Sequence, residues 1–323
     1  MGATPLLAIV GPTAVGKSRL ALHLAESLDG EIVNADSRQI YKYMDIGTAK
    51  PPNEERIRVP HHLFDIREPD QEYSLAVFLD MANHTINDIK SRDKLPIAVG
   101  GSGQYIWALL EGWKIPAVAP NPTLRADLEF QVQRRGPWAL YQLLQAVNPK
   151  KAEKIDPKNA RRIIRALEVH FISGSRSPQL GVMESRPETI MVIGLTTDRR
   201  ELYCKIDTRV DRMMSCGFVE EVQTLLDRGY SPQLSSMSGV GYHEIAAYLR
   251  GSTAFEDALQ QIKYRTHRIA RRQYTWFRLK DQRIRWIQSD GQELNVGMNM
   301  AQEFIMECDK IASDRRIETD EVH

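Results

Sequence analysis

The segment Gly11-Pro12-Thr13-Ala14-Val15-Gly16-Lys17-Ser18 fits the pattern G-x-x-x-x-G-K followed by Ser or Thr, and it constrains the fold more than any other stretch of the chain. An apolar run from Leu6 to Val10 precedes it and an amphipathic stretch from Ser18 to Leu28 follows, so the region reads as strand, phosphate-binding loop, helix. With glycine at about 7% of residues, the four fixed positions arise by chance in roughly one chain in a hundred of this length. The glycines let the backbone turn so that successive N–H groups point inward, and the helix N-terminus adds partial positive charge. Lys17 supplies a cation to the terminal phosphate oxygens, and the Ser18 hydroxyl a ligand for a magnesium ion shared with them. The loop alone leaves open whether the phosphate belongs to a nucleotide or to another diphosphate ester.

Further apolar runs give the same alternation of strand and helix. Glu31 to Asn34 ends in Ala35-Asp36-Ser37, and Leu95 to Val99 enters Gly100-Gly101-Ser102-Gly103 before a helical stretch. The fold class expected is α/β, a P-loop NTPase-like parallel sheet with flanking helices. From Pro116 the texture changes to polar segments of helical period, Leu124 to Arg135, Trp138 to Ala146 and Asn159 to Phe171, then a loop rich in Ser, Gly and Arg. This predicts an inserted all-helical domain over 116–187, with 1–115 and 188–323 forming the core. Thr189 to Leu195 returns as a strand, helices fill Glu201 to Trp276, and Ile284 to Ile287 adds a late strand. The last stretch, Ser313 to His323, is polar and without period, and a frayed tail is expected there.

Composition excludes several classes. Among 323 residues, 42% apolar and 26% charged are ordinary for a globular protein, and no run approaches the roughly 18 apolar residues of a membrane span. Cys204, Cys216 and Cys308 are widely spaced with no CxxC, which argues against a disulfide framework or zinc site and for a reducing cytoplasm. Met1 to Val10 reads as the first strand and not as a leader. His61 and His62 would point to opposite faces of a strand, against a paired metal site, and His243 and His267 read as structural or phosphate-touching.

The net charge of +1 conceals a local concentration. Between Gln261 and Trp286 nine Lys or Arg residues face one acid, Asp281. Arg265, Arg268 and Arg272 share a helical face suited to phosphates, while Tyr274 and Trp276 either stack on bases or fill the core. Arg161, Arg162 and Arg165 form a second cluster, with Ile163, Ile164 and Leu167 left for packing. Arg209, taken alone, reads as a solvated helix arginine.

Asp36-Ser37-Arg38-Gln39-Ile40-Tyr41, followed by Met44-Asp45-Ile46-Gly47-Thr48-Ala49-Lys50-Pro51, resembles the signature of the tRNA dimethylallyltransferases. The likeness continues through Gly100 to Gln104, Arg162 to Glu168, Thr208 to Met214, Gly239-Val240-Gly241-Tyr242 and Arg272 to Trp276, nearly the whole chain. It implies a P-loop core, an inserted helical domain that closes on tRNA, and a channel where dimethylallyl diphosphate meets a flipped-out adenine. The activity implied is transfer of the dimethylallyl group to the exocyclic amine of the adenine 3′ of the anticodon, giving N6-isopentenyladenosine and diphosphate. Extrusion of the base agrees with the chemistry, since the amine is otherwise buried in a stacked anticodon loop.

Asp36 lies just past a strand end, where ligands bind in open α/β sheets. The resemblance makes it general base toward the amine, and the alternative is a magnesium ligand. Thr13 and Arg209 join Lys17 as groups on the leaving diphosphate. By the same resemblance Asp36, Ser37, Arg38, Gln39, Ser102, Arg161, Arg162, Ile163, Ile164, Arg165, Gly239, Tyr242, Arg272 and Gln273 contact the tRNA, and a monomer suffices. No Cys/His ligand set follows Trp286, unlike the zinc-finger extension of eukaryotic members, which favours the bacterial type. A small-molecule kinase, an adenylate isopentenyltransferase and an NTP-gated RNA-binding protein remain rival readings of the same loop.

Overall fold

A computed structural model of the chain describes residues 5–115, 118, 121–173 and 189–320. The Ser/Gly/Arg-rich loop and prolines 116 and 120 of the sequence reading lie outside the described residues. The chain falls into two compact units, one of residues 1–112 with 185–323, the other of residues 113–184.

The larger unit opens with β1 (Leu6–Val10), α1 (Lys17–Ser27), β2 (Gly30–Asn34), α2 (Asn53–Arg58), β3 (His61–His62), α3 (Leu75–Ser91), β4 (Leu95–Val99) and α4 (Gly103–Leu110). The smaller unit follows with α5 (Pro122–Arg135), α6 (Pro137–Val147), α7 (Pro149–Ala152) and α8 (Ala160–Ser173). The chain then returns to the larger unit through β5 (Ile190–Thr196), α9 (Arg199–Ser215), α10 (Phe218–Asp227), α11 (Tyr242–Leu249), α12 (Phe255–Trp276), β6 (Ile284–Gln288) and α13 (Glu293–Asp320).

The six strands form one sheet in the order β3-β2-β4-β1-β5-β6, every pairing parallel, with Ala8 opposite Ala98 on one side and Val192 on the other. Every residue of β1, β2 and β4 is buried, which explains the unbroken apolar sequences of β1 and β4, whereas β2 buries Glu31 and Asn34 beside Ile32 and Val33. Leu7 and Ile9 join the core that includes Leu20 and Leu24 of α1 and Phe304 of α13, while Leu6, Ala8 and Val10 face the other side by the two-residue period of a strand. β6, at the edge, buries Ile284 and Ile287 and exposes Arg285 and Gln288.

β3 is a two-residue edge strand carrying His61 and His62, in keeping with the strand reading, and their rings are engaged with Val59 O and with Glu31, both at 2.7 Å. Two features depart from the sequence reading. The tail read as frayed is helical as far as Asp320, its helix-forming residues continuing α13, and only 321–323 lie outside the described residues. Helix α3, anchored by the Ser74 hydroxyl accepting from Val77 N, was not foreseen.

The smaller unit is a helical cluster around Leu128, Leu140, Leu144, Ile163 and Leu167. Its buried carboxylate, Glu168, accepts from Asn121 N and from the guanidinium groups of Arg125 and Arg165; burial pushes its pKa up, and these hydrogen bonds outweigh that and lower it.

Candidate active site

Because the strands run parallel, the loops leaving the carboxyl ends of β1, β2 and β4 lie at one edge of the sheet. The first is the phosphate loop. Ala14 and Gly16 adopt φ of 65° and 105°, left-handed turns that make a concave nest of N–H groups. Gly16 stands at the N-cap of α1 and offers no side-chain cap, so the first amides of the helix remain available to an anion.

Two cations close over this loop. Lys17 folds back, its Nζ donating to Pro12 O at 2.7 Å, and burial lowers its ammonium to about 8 while Asp36 pulls it up and Arg209 pushes it down further. Arg209, on α9, is likewise lowered by burial, with Asp36 opposing, and its Nη1 stands 3.5 Å from Thr13 Oγ1. Two enclosed cations face one carboxylate, a balance that favours a further anion. Ser18 begins α1 with its side chain exposed.

Asp36 follows β2 by two residues. Its N–H donates to Asn34 Oδ1 and its Oδ1 accepts from Arg38 N, both at 2.9 Å, a local turn that leaves Oδ2 free of protein donors among the described residues. In the third loop Ser102 Oγ stands 3.4 Å from Ser37 N.

Of these groups Thr13, Asp36, Ser37, Arg38, Ser102 and Arg209 share a cavity of about 430 Å³. Thr13, Asp36 and Arg209 line one part of it, and Ile206, Val210, Met213, Phe218, Val240 and Ile262 an apolar part. Ser37, Arg38, Ser102, Gly239, Tyr242, Arg272 and Gln273 also border it. Gln39 does not: its amide donates to Thr48 O and Ala49 O, both at 3.0 Å, inside the loop that follows.

Several residues read as RNA contacts have other work. Ile163, Ile164 and Tyr242 are buried side chains, as expected where apolar bulk follows the helical period. Arg165 is held by Glu168 and Val118 O, whereas Arg161 and Arg162 stand exposed. Arg38 donates to Ser235 O at 2.6 Å and to Ser238 Oγ at 3.1 Å, tying two cavity walls together. Arg265 pairs with the buried Glu244, which accepts from Gly241 N at the start of α11, so it leaves the proposed cationic face to Arg268 and Arg272. His267 stacks on Tyr203 at 4.1 Å and pairs with Asp207.

One functional residue escaped sequence reading. The Glu221 carboxylate accepts from the N–H groups of Asp45, Ile46 and Gly47 at 2.9, 2.7 and 3.1 Å, and from the Tyr242 hydroxyl at 2.7 Å. It thereby fixes the loop that places Met44, Gly47 and Thr48 along the cavity. Gly47 tolerates no side chain there, since a Cβ would lie 2.2 Å from the Phe218 ring. The only sequence hint is the acidic residue opening α10, which is also ordinary helix-terminal charge.

A parallel sheet whose first loop is an anion nest under two enclosed cations, beside a carboxylate and an apolar wall, defines a P-loop protein built to hold a phosphate ester with an apolar group. Residues 39–280 match the family model described as IPP transferase, and the chain belongs to that family. A tRNA dimethylallyltransferase of Roseiflexus castenholzii is 53% identical over 274 residues, 85% of this chain and 90% of that protein. The crystal structure of a full-length tRNA isopentenylpyrophosphate transferase from Bacillus halodurans is 38% identical with a TM-score of 0.71, covering 96% of this chain and 99% of its own. A eukaryotic dimethylallyltransferase captured acting on tRNA is 25% identical with a TM-score of 0.81, covering 94% and 80%.

Proposed function

We propose that this chain transfers the dimethylallyl group of dimethylallyl diphosphate to the exocyclic amine of the adenine 3′ of the anticodon in tRNA. The observation that carries the reading is the single cavity in which Asp36, Arg209 and Thr13 meet an apolar wall. The diphosphate lies on the amides of residues 14–18 with Lys17 and Arg209 on its oxygens, and the five-carbon chain lies along Ile206, Val210 and Met213.

The amine nitrogen forms a bond to C1 of the allyl group as the C1–O bond breaks, and the electron pair leaves with diphosphate. Charge grows on the departing oxygens, where the enclosed cations act in a low-dielectric site. The proton released from nitrogen passes to the Asp36 carboxylate, whose Oδ2 takes part in no protein hydrogen bond among the described residues.

Magnesium fits this donor set. Among the described residues no group of three or more His, Cys, Asp or Glu is gathered, and Ser18 Oγ is the protein oxygen that would ligate an ion shared with the diphosphate. It would supply further neutralisation of the leaving diphosphate.

Arg268 and Arg272 on α12 and Arg161 and Arg162 on α8 are the exposed cations offered to tRNA phosphates. Among the described residues no helix is long and apolar enough to cross a membrane.

The test is incubation with labelled dimethylallyl diphosphate, magnesium and unmodified tRNA, with AMP as the competing acceptor. Label is expected in tRNA, and label in AMP alone overturns the acceptor. Asp36→Ala is expected to slow transfer by about 10²- to 10⁴-fold with tRNA affinity within about twofold of the parent. Equal loss of affinity and turnover contradicts a base.

A further inference from the structure

One side chain spans the gap between helix α12 and the phosphate loop. Gln273 Oε1 accepts from Thr13 N at 2.8 Å, and Gln273 Nε2 donates to Gly101 O at 3.0 Å. Those two backbone groups belong to the loops that leave the neighbouring strands β1 and β4. Gly101 is glycine because the carboxamide occupies the space: a Cβ there would lie 2.2 Å from Gln273 Nε2. The helix carrying Gln273 is itself pinned at its last turn. Trp107 Nε1 of α4 donates to Trp276 O at 3.1 Å, and Trp276 lies so close to Gly103 that a Cβ on that glycine would come within 2.3 Å.

What this brace holds is a strained position. Ala14, the residue after Thr13, has φ of 65°, a left-handed conformation that a non-glycine residue keeps only where its surroundings over-determine it. Downstream it is fixed by Gly16 and the first turn of α1. Upstream, Gln273 fixes the N–H of Thr13, and Arg209 stands beside the hydroxyl of the same residue. The N–H that Gln273 takes directly precedes the amides of residues 14–18 and is committed to the protein. With Thr13 held there, the left-handed turn at Ala14 is fixed on both sides, and the amides that follow stay available to an anion.

We infer that Gln273 is a positioning residue for diphosphate binding: its carboxamide holds the turn at Ala14, so that the phosphate loop stands formed before its ligand arrives. Resemblance to the family places Gln273 among the tRNA contacts, but both ends of its amide are committed to backbone groups of the loops after β1 and β4. The inference rests on the reading that this loop takes a diphosphate, and not on which acceptor receives the prenyl group.

The experiment is calorimetric binding of inorganic diphosphate with magnesium to the full chain, beside binding of a synthetic anticodon stem-loop. Gln273→Met keeps the length of the side chain and removes both hydrogen bonds. It is expected to weaken diphosphate by about tenfold, the cost of lost preorganisation, with stem-loop affinity within about twofold of the parent. Gly101→Ala displaces the carboxamide without altering Gln273 and is expected to reproduce that weakening. The decisive comparison is made in an Ala14→Gly background, where positive φ carries no steric penalty, and there the effect of Gln273→Met is expected to shrink to about twofold. A residue that merely supports the fold would not be relieved by a glycine at position 14. An unchanged tenfold loss in that background overturns the inference, as does a loss of stem-loop affinity with diphosphate binding intact. If the parent chain binds no diphosphate, the functional reading falls and the inference with it. If the parent binds it and the Gln273→Met variant binds it equally well, only the inference fails.

Discussion

Two nests of backbone amides among the described residues differ in what fills them. In the loop of residues 45–47 three consecutive N–H groups converge on the carboxylate of Glu221, an anion supplied by the protein itself. In the phosphate loop no carboxylate among the described residues accepts from the amides of residues 14–18, and the charged groups closing over it, Lys17 and Arg209, are cations. A nest filled from within is a structural clamp. A nest backed by cations and left without an internal acceptor is a receptor, because burying positive groups together is unfavourable until an anion joins them. Gly47 of the filled nest and Thr13 of the phosphate loop line the same cavity, so the fixed nest helps to shape the space beside the receptive one.

The widest separation between the two is expected from Lys17→Ala. Removing a cation from the developing charge of the leaving diphosphate should slow transfer on the order of 10³-fold. The folded chain should melt no lower than its parent, since the ammonium is held in the fold at a desolvation cost. Single-turnover rates and a melting curve together check this. If the variant melts well below the parent, the phosphate loop is as structural as its counterpart and the contrast is lost.

Glu221→Ala addresses the filled nest and should show the reverse pattern in stability. Three N–H groups and the Tyr242 hydroxyl lose their acceptor, a loss of about 2 kcal/mol, or roughly 5 °C in melting temperature for a domain of this size. Diphosphate affinity of the free chain should change little, because the phosphate loop keeps its own supports. A melting temperature equal to the parent's would mean that water replaces the carboxylate at no cost and that the clamp is not one.

The two nests also mark how far sequence reading reaches. The phosphate loop was legible because its chemistry lies in eight consecutive residues, between a strand buried on both faces and a helix of clear period. Buried parallel strands announce themselves as unbroken apolar runs, and β4 and β5 were found in that way. The filled nest was illegible, since Glu221 and its partner amides are separated by up to 176 positions and nothing in an acidic helix terminus distinguishes a clamp from a solvated charge. The same holds for Gln273, 260 positions from the amide it fixes. Helix α3 did carry a signal, Phe78, Leu79, Ala82, Ile86 and Ile89 at helical spacing after Ser74. The apolar wall of the cavity was hidden differently. Ile206, Val210 and Met213 follow the ordinary core period of α9, and only the fold shows that this face borders a cavity. Charge was the most deceptive signal. Arg265 and Arg165 look like RNA-facing cations in sequence, yet each neutralises a buried carboxylate.

The smallest expected effect is the dependence on pH, which only the receptive nest should possess. In the folded chain Lys17 titrates at about 8, below its ordinary 10.5. Between those values the unfolded chain binds more protons than the folded one, so stability rises as pH climbs from about 8 toward 10.5 and declines as pH falls back. Ligand binding runs the other way. A diphosphate prefers the ammonium form, so its affinity should fall as pH rises through about 8, and binding near pH 8.5 should take up a proton. Titration calorimetry of dimethylallyl diphosphate in two buffers of different ionisation enthalpy measures that uptake directly. Lys17→Arg, charged throughout the range, should bind with no uptake and little slope from pH 7 to 9.5. An equal proton uptake in the arginine variant would assign the titration to the ligand or to another group, and the distinction between the two nests would then rest on geometry alone.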